Sequence, residues 1–186
     1  GGLVTALFTS YAIQKKPILE WCDSLLELHE NNIIDKYIET TNIKEKYQKD
    51  KDHFWDKWYE YREKRLNNTT EKNILNIEII NDLVKKEYSP QVFGKNVTNY
   101  SKWGGNGCDS VIVAYDALLL SKGSWDSLVF TAALHFGDND TTGTIAGAWY
   151  GAYYGFKGLE KNKMEGLEFY HKLKEISDKI IKVLVV

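Results

Sequence analysis

Cysteine, proline and methionine are scarce in these 186 residues, at two, two and one. Cys22 and Cys108 lie far apart, with no Cys-x-x-Cys spacing and no visible secretory leader, so two reduced thiols in a cytoplasmic protein are expected rather than a disulfide. The four histidines, His29, His53, His135 and His171, form no His-x-His or His-x-x-x-His pair, and a zinc site is not expected. A net charge of -2 excludes any general attraction to nucleic acid or to an anionic membrane surface. Alternating strand patterns are also rare, which leaves helices to build the core.

What is present fits one compact domain: 43% of the residues are hydrophobic and 27% charged. The chain opens at Gly1 without Met and is already apolar at helical spacing through Leu3, Leu7, Phe8 and Tyr11. It therefore reads as the C-terminal part of a longer protein. Residues 3–14 are predicted helical, ending before Lys15-Lys16-Pro17, and Pro17 suits the first turn of a second helix through Trp21, Leu25, Leu26 and Leu28. Residues 33–66 keep helical spacing at Ile34, Tyr37, Ile38, Phe54, Trp55, Trp58 and Tyr61, and this aromatic segment reads as core. Loops are expected at 67–70 and at 88–107, the second carrying Pro90, Gly94, Gly104, Gly105 and Gly107. Helices resume at 109–120, at 124–134 with Ser124 as N-cap, at about 142–156 and at 165–185. The run 178–186 is apolar enough for a strand but is read as helix.

Gly143, Gly147, Gly151 and Gly155 recur every four residues, beside Ala148 and Ala152. Each glycine inside a helix costs about 1 kcal/mol against alanine, so the stripe calls for an offsetting close approach by another helix. The stretch is too short for the roughly 20 residues of a membrane span. A buried central helix is the expectation.

The strongest chemical signal is His135-Phe136-Gly137-Asp138-Asn139-Asp140-Thr141-Thr142-Gly143. On a regular helix two carboxylates at i and i+2 point about 200° apart and cannot share an ion. On a loop entering a helix both can turn to one point; Gly137 permits the turn, and the hydroxyls of Thr141 and Thr142 can add a ligand or a cap. Hard oxygen donors of this kind suit magnesium, calcium or manganese. Competing readings are a helix N-cap, a solvated acidic loop, and a calcium loop of the EF-hand type. The last fails, because Trp149 stands where its bidentate glutamate is required. His135 reads as a structural histidine with satisfied hydrogen bonds.

Gly137-Asp138-Asn139-Asp140-Thr141-Thr142-Gly143-Thr144-Ile145-Ala146-Gly147 resembles the C-terminal metal motif of the ADP-ribosylarginine hydrolases, within the ADP-ribosylglycohydrolases. Trp103 to Asp109, followed by Val113 to Leu119, resembles that family's glycine loop and the helix after it; Tyr153 to Gly158 resembles the end of its central helix. The resemblance runs from about Leu3 to the C-terminus.

It implies an all-α fold with a cleft for two magnesium ions (Mg2+). The implied activity is hydrolysis of the N-glycosidic bond of ADP-ribosylated arginine in proteins, releasing ADP-ribose. Asp138, Asp140 and Thr141 match the metal ligands; Tyr100, Ser101, Gly104 and Gly105 fall where the family contacts ADP-ribose, with Tyr100 open to an alternative packing role. The family's other ligands belong to an N-terminal Thr-Asp-Asp motif, which does not occur among these residues. The acid/base groups and the opposing ligands are therefore expected from an N-terminal part of the same protein. Alternatives are an ADP-ribose-binding pseudoenzyme, a hydrolase for another acceptor such as serine, and a helical interaction module docking through Trp55 to Tyr61.

Overall fold

The computed structural model describes residues 1–67, 104–135 and 137–184. The expected turn at 68–70, most of the expected loop at 88–107, Tyr100, Ser101, Trp103 and Phe136 lie outside the described residues. Among those described, every regular element is helical, and no helix is long and apolar enough to cross a membrane. The chain divides into two compact units, Gly1–Gly155 and Phe156–Val186.

In the larger unit α1 spans Gly2–Ile13, and Pro17 caps a short 3-10 turn, Ile18–Glu20, that feeds α2, Trp21–Glu30. Pro17 thus stands one step before the first turn it was expected to occupy. Helix α3 (Ile33–Ile38) and helix α4 (Lys44–Tyr61) replace what periodicity shows as one continuous stretch. The break has a local cause: Thr40 and Thr41 turn their hydroxyls back onto the carbonyls of Tyr37 (2.7 Å) and Ile38 (2.8 Å), competing with helical bonding. A π-helical turn, Arg62–Leu66, extends α4.

Helices α5 (Asp109–Ser121), α6 (Trp125–Ala133) and α7 (Asn139–Tyr154) pack against one another, and α1 lies on α7. Ser124 caps α6 as expected, accepting from the Ser127 N–H at 3.3 Å. The buried central helix is α5 rather than the glycine-rich α7. Residues 111–115 and 117–119 are all buried, because apolar side chains run right round α5. Helix α7 buries only the face of Thr142, Ala146, Trp149 and Tyr150; its small residues Thr144, Ala148 and Gly151 are exposed.

Aromatic side chains fill the core where these helices meet. The Phe8 ring lies 5.2 Å from Trp21, 5.6 Å from Trp58, 5.2 Å from Tyr115 and 5.3 Å from Trp149, so α1, α2, α4, α5 and α7 share one cluster. The aromatic segment of α4 is therefore core and not a docking face: Trp55, Trp58 and Tyr61 are buried. Two polar tips then fix α7 lengthwise. Trp149 Nε1 donates to Thr5 O (3.1 Å) and the Tyr150 hydroxyl to Gly123 O (2.9 Å). Both cysteines are free and buried.

In the smaller unit α8 (Lys161–Glu165) is followed by α9 (Tyr170–Leu184). The helix expected over 165–185 starts five residues later, because Gly166 caps α8 and Phe169 takes a left-handed backbone with φ 61°. The region 178–184 is helix, not strand.

Candidate metal centre at the start of α7

Helix α7 begins three residues earlier than its hydrophobic pattern suggests, and the acidic residues set that start. Asp138 is the N-cap, accepting from the Thr141 N–H at 3.4 Å through Oδ1. Asp140, in the first turn, accepts from the same N–H at 3.0 Å. Both positions suit the positive end of the helix dipole, so the capping reading is realised. The same geometry brings the two carboxylates to one point with Thr141 between them. The Asp138 carboxyl is held below the usual carboxylate range, first by the adjoining Asp140 carboxyl, then by the Thr141 hydroxyl and amide. Two carboxylates this close call for a proton or a cation between them.

Thr142 takes no part in that cluster. Fully buried, its hydroxyl lies 2.7 Å from both His135 Nε2 and Ala132 O. The sequence leaves Thr142 open as a donor; burial removes it and leaves Thr141. Trp149 is wholly inside the core, consistent with the failure of the EF-hand reading.

The glycine loop stands directly behind. Asp109, at the start of α5, accepts from the N–H groups of Gly104 and Asn106, both at 3.0 Å. The Asn106 side chain accepts in turn from the N–H of Cys108 (2.8 Å) and of Asp109 (3.0 Å). Burial pushes the Asp109 carboxyl upward, and these amide donors oppose it. Gly104 is buried with φ 82°, and a Cβ there would lie 2.9 Å from Thr142 Cγ2 and 3.3 Å from Asp138 O. Only glycine fits where the two loops meet. Gly105, next to it, is exposed.

Asp138, Asp140 and Thr141 are therefore together, with Gly104 packed behind them and Gly105 at the surface of the same loop. Sequence reasoning missed Lys15, whose backbone is left-handed (φ 57°) and whose Nζ donates to Ala152 O (3.1 Å) and to Tyr153 O at the far end of α7. A lysine ending one helix gives no hint of the helix it reaches 137 residues on.

The donors present are hard oxygens, two carboxylates and a hydroxyl, which suit magnesium, calcium or manganese. Among the described residues no third His, Cys, Asp or Glu joins them. Magnesium takes about six oxygens, more than these three residues supply.

Known proteins match this chain along most of its length. The ADP-ribosylglycohydrolase family profile matches residues 1–185. The chain is 37% identical to the ADP-ribosylhydrolase ARH1 of Dictyostelium discoideum over 185 residues, covering 91% of this chain and 46% of that protein. It is 35% identical to a protein of Acanthamoeba polyphaga mimivirus provisionally named an ADP-ribosyl glycohydrolase, over 159 residues, 84% of this chain and 30% of that protein. The chain thus spans about half or less of the length of these relatives. By the extent of these matches, the chain belongs to the ADP-ribosylglycohydrolase family.

Proposed function

We propose that these residues form one side of the active site of a magnesium-dependent hydrolase that cleaves the N-glycosidic bond of ADP-ribosylarginine in proteins and releases ADP-ribose. The observation that carries this reading is the convergence of Asp138 and Asp140 on the Thr141 N–H, in a chain 37% identical to an ADP-ribosylhydrolase.

Asp138, Asp140 and Thr141 would hold two Mg2+ ions together with ligands from an N-terminal part of the same protein. When bound, the ions supply charge stabilisation and a water activated at neutral pH. Asp138 and Asp140 stand at the mouth of α7, where the helix dipole favours negative charge and the Thr141 N–H orients both side chains. Gly104 holds the loop behind them in place, and the exposed Gly105 is the part of that loop open to ADP-ribose. Tyr100 and Ser101 are assigned to the same ligand from the resemblance alone. Loss of the arginine nitrogen builds oxocarbenium character at the ribose carbon, and the acid/base groups that this requires are assigned to the N-terminal part. We assign a cytoplasmic setting on the expectation that Cys22 and Cys108, both free and buried, stay reduced.

The test is ADP-ribose release by the full-length protein from peptides ADP-ribosylated on arginine or on serine, with magnesium or with chelator. Release from the arginine peptide that stops with chelator is expected. Release that persists in chelator contradicts the metal assignment, and release confined to the serine peptide contradicts the arginine assignment.

A further inference from the structure

Behind Asp138 the hydrogen bonds run in one direction. The Gly137 N–H donates to His135 Nδ1 at 3.1 Å. A ring nitrogen accepting from an amide carries no proton, so the proton of the neutral ring sits on Nε2. His135 Nε2 lies 2.7 Å from Thr142 Oγ1, and the ring donates there. The Thr142 hydroxyl donates its one proton to Ala132 O at 2.7 Å, since a carbonyl can only accept, and takes the ring N–H on a lone pair. His135 also takes the Asn139 side-chain amide on its backbone carbonyl, at 3.1 Å. One residue thereby fixes positions 137, 139 and 142, on either side of both acidic residues. The half-buried ring favours the neutral form that this chain of bonds requires.

We propose that His135, held as its Nε2–H tautomer between the Gly137 amide and the Thr142 hydroxyl, is the positioning residue that aims Asp138 and Asp140 at a common cation. The proposal rests on the reading of those two carboxylates as cation ligands. A histidine that only fills space would affect stability and leave cation affinity alone. A positioning histidine affects affinity at positions it does not itself ligate, as outer-shell partners of metal ligands do.

The experiment uses the full-length protein. Nitrogen-15 NMR of the histidine rings should show His135 with Nε2 protonated and Nδ1 bare. Calorimetric titration with Mg2+ should show His135→Ala binding at least about tenfold more weakly than the parent. His135→Gln can still donate to Thr142 and should recover part of that loss. A proton on Nδ1, or Mg2+ binding by folded His135→Ala equal to the parent's, overturns the proposal. Asp138→Asn separates this failure from that of the site. If Asp138→Asn loses binding while His135→Ala keeps it, the site stands and the positioning role falls. If Asp138→Asn binds as the parent does, the site itself falls and takes the proposal with it.

Discussion

Replacing Gly104 by alanine tests whether the glycine loop and the start of α7 form one rigid assembly. The added Cβ meets two obstacles. At φ 82° an L side chain is strained, which costs roughly 1–3 kcal/mol. Thr142 Cγ2 at 2.9 Å and Asp138 O at 3.3 Å are also too close, and overpacking of this kind costs about 1–3 kcal/mol. Thr142 has nowhere to retreat, since its side chain is fully buried and its hydroxyl is held by Ala132 O. The two effects share one relaxation, a shift of the loop away from α7, so about 2–5 kcal/mol is expected rather than a larger sum. Urea unfolding of the parent and Gly104→Ala measures the loss, and Mg2+ titration under native conditions measures whether Asp138 has moved. A loss under about 0.5 kcal/mol, the scatter of neutral surface substitutions, would refute the account of two loops locked together.

Gly151→Ala should stabilise by up to about 1 kcal/mol, because nothing lies within 4 Å of the added Cβ; Gly143→Ala, 3.0 Å from Ala133 Cβ, should be less stable than Gly151→Ala when melting temperatures are compared. Burial raises the Cys22 thiol to about 12 and the Cys108 thiol to about 11, so neither should react with Ellman's reagent at pH 8 until the protein is denatured. Asp116 accepts from the Tyr61 hydroxyl (2.7 Å) and from Nε of the buried Arg65 (2.8 Å). Asp116→Ala should therefore cost about 3–5 kcal/mol in denaturant unfolding, and a loss below about 1 kcal/mol would show that the pair is readily replaced.

The helices were legible where burial and periodicity coincide. The apolar run of α5 and the Ser124 cap of α6 needed only local chemistry, and both stand where the pattern puts them. The glycine stripe shows where such reading stops. Four residues advance a helix by about 400°, so Gly151 sits about 80° round from Gly143, and the two cannot both face α6. Gly143 is close to Ala133, whereas Gly151 is open. Asp138 and Asp140 were identifiable as a pair from their spacing and resemblance, and the geometry joins them. Their use of a single N–H was not visible, since it depends on the helix starting at Asn139. The resemblance marks Gly104 as an ADP-ribose contact; that a Cβ there would also meet Thr142 and Asp138 is a long-range packing relation that no local pattern encodes. Lys15 was illegible for the same reason.

Asn caps a helix about as well as Asp does but brings no charge, so Asp138→Asn separates the capping role from the metal role. In the full-length protein, calorimetric Mg2+ titration of the parent, Asp138→Asn and Asp140→Asn, with melting temperatures recorded alongside, is the most direct measurement. The account predicts nearly unchanged melting temperatures without metal and Mg2+ affinity weakened at least about tenfold in both variants. Equal Mg2+ affinity in all three proteins would reduce Asp138 and Asp140 to a helix cap and contradict the metal centre.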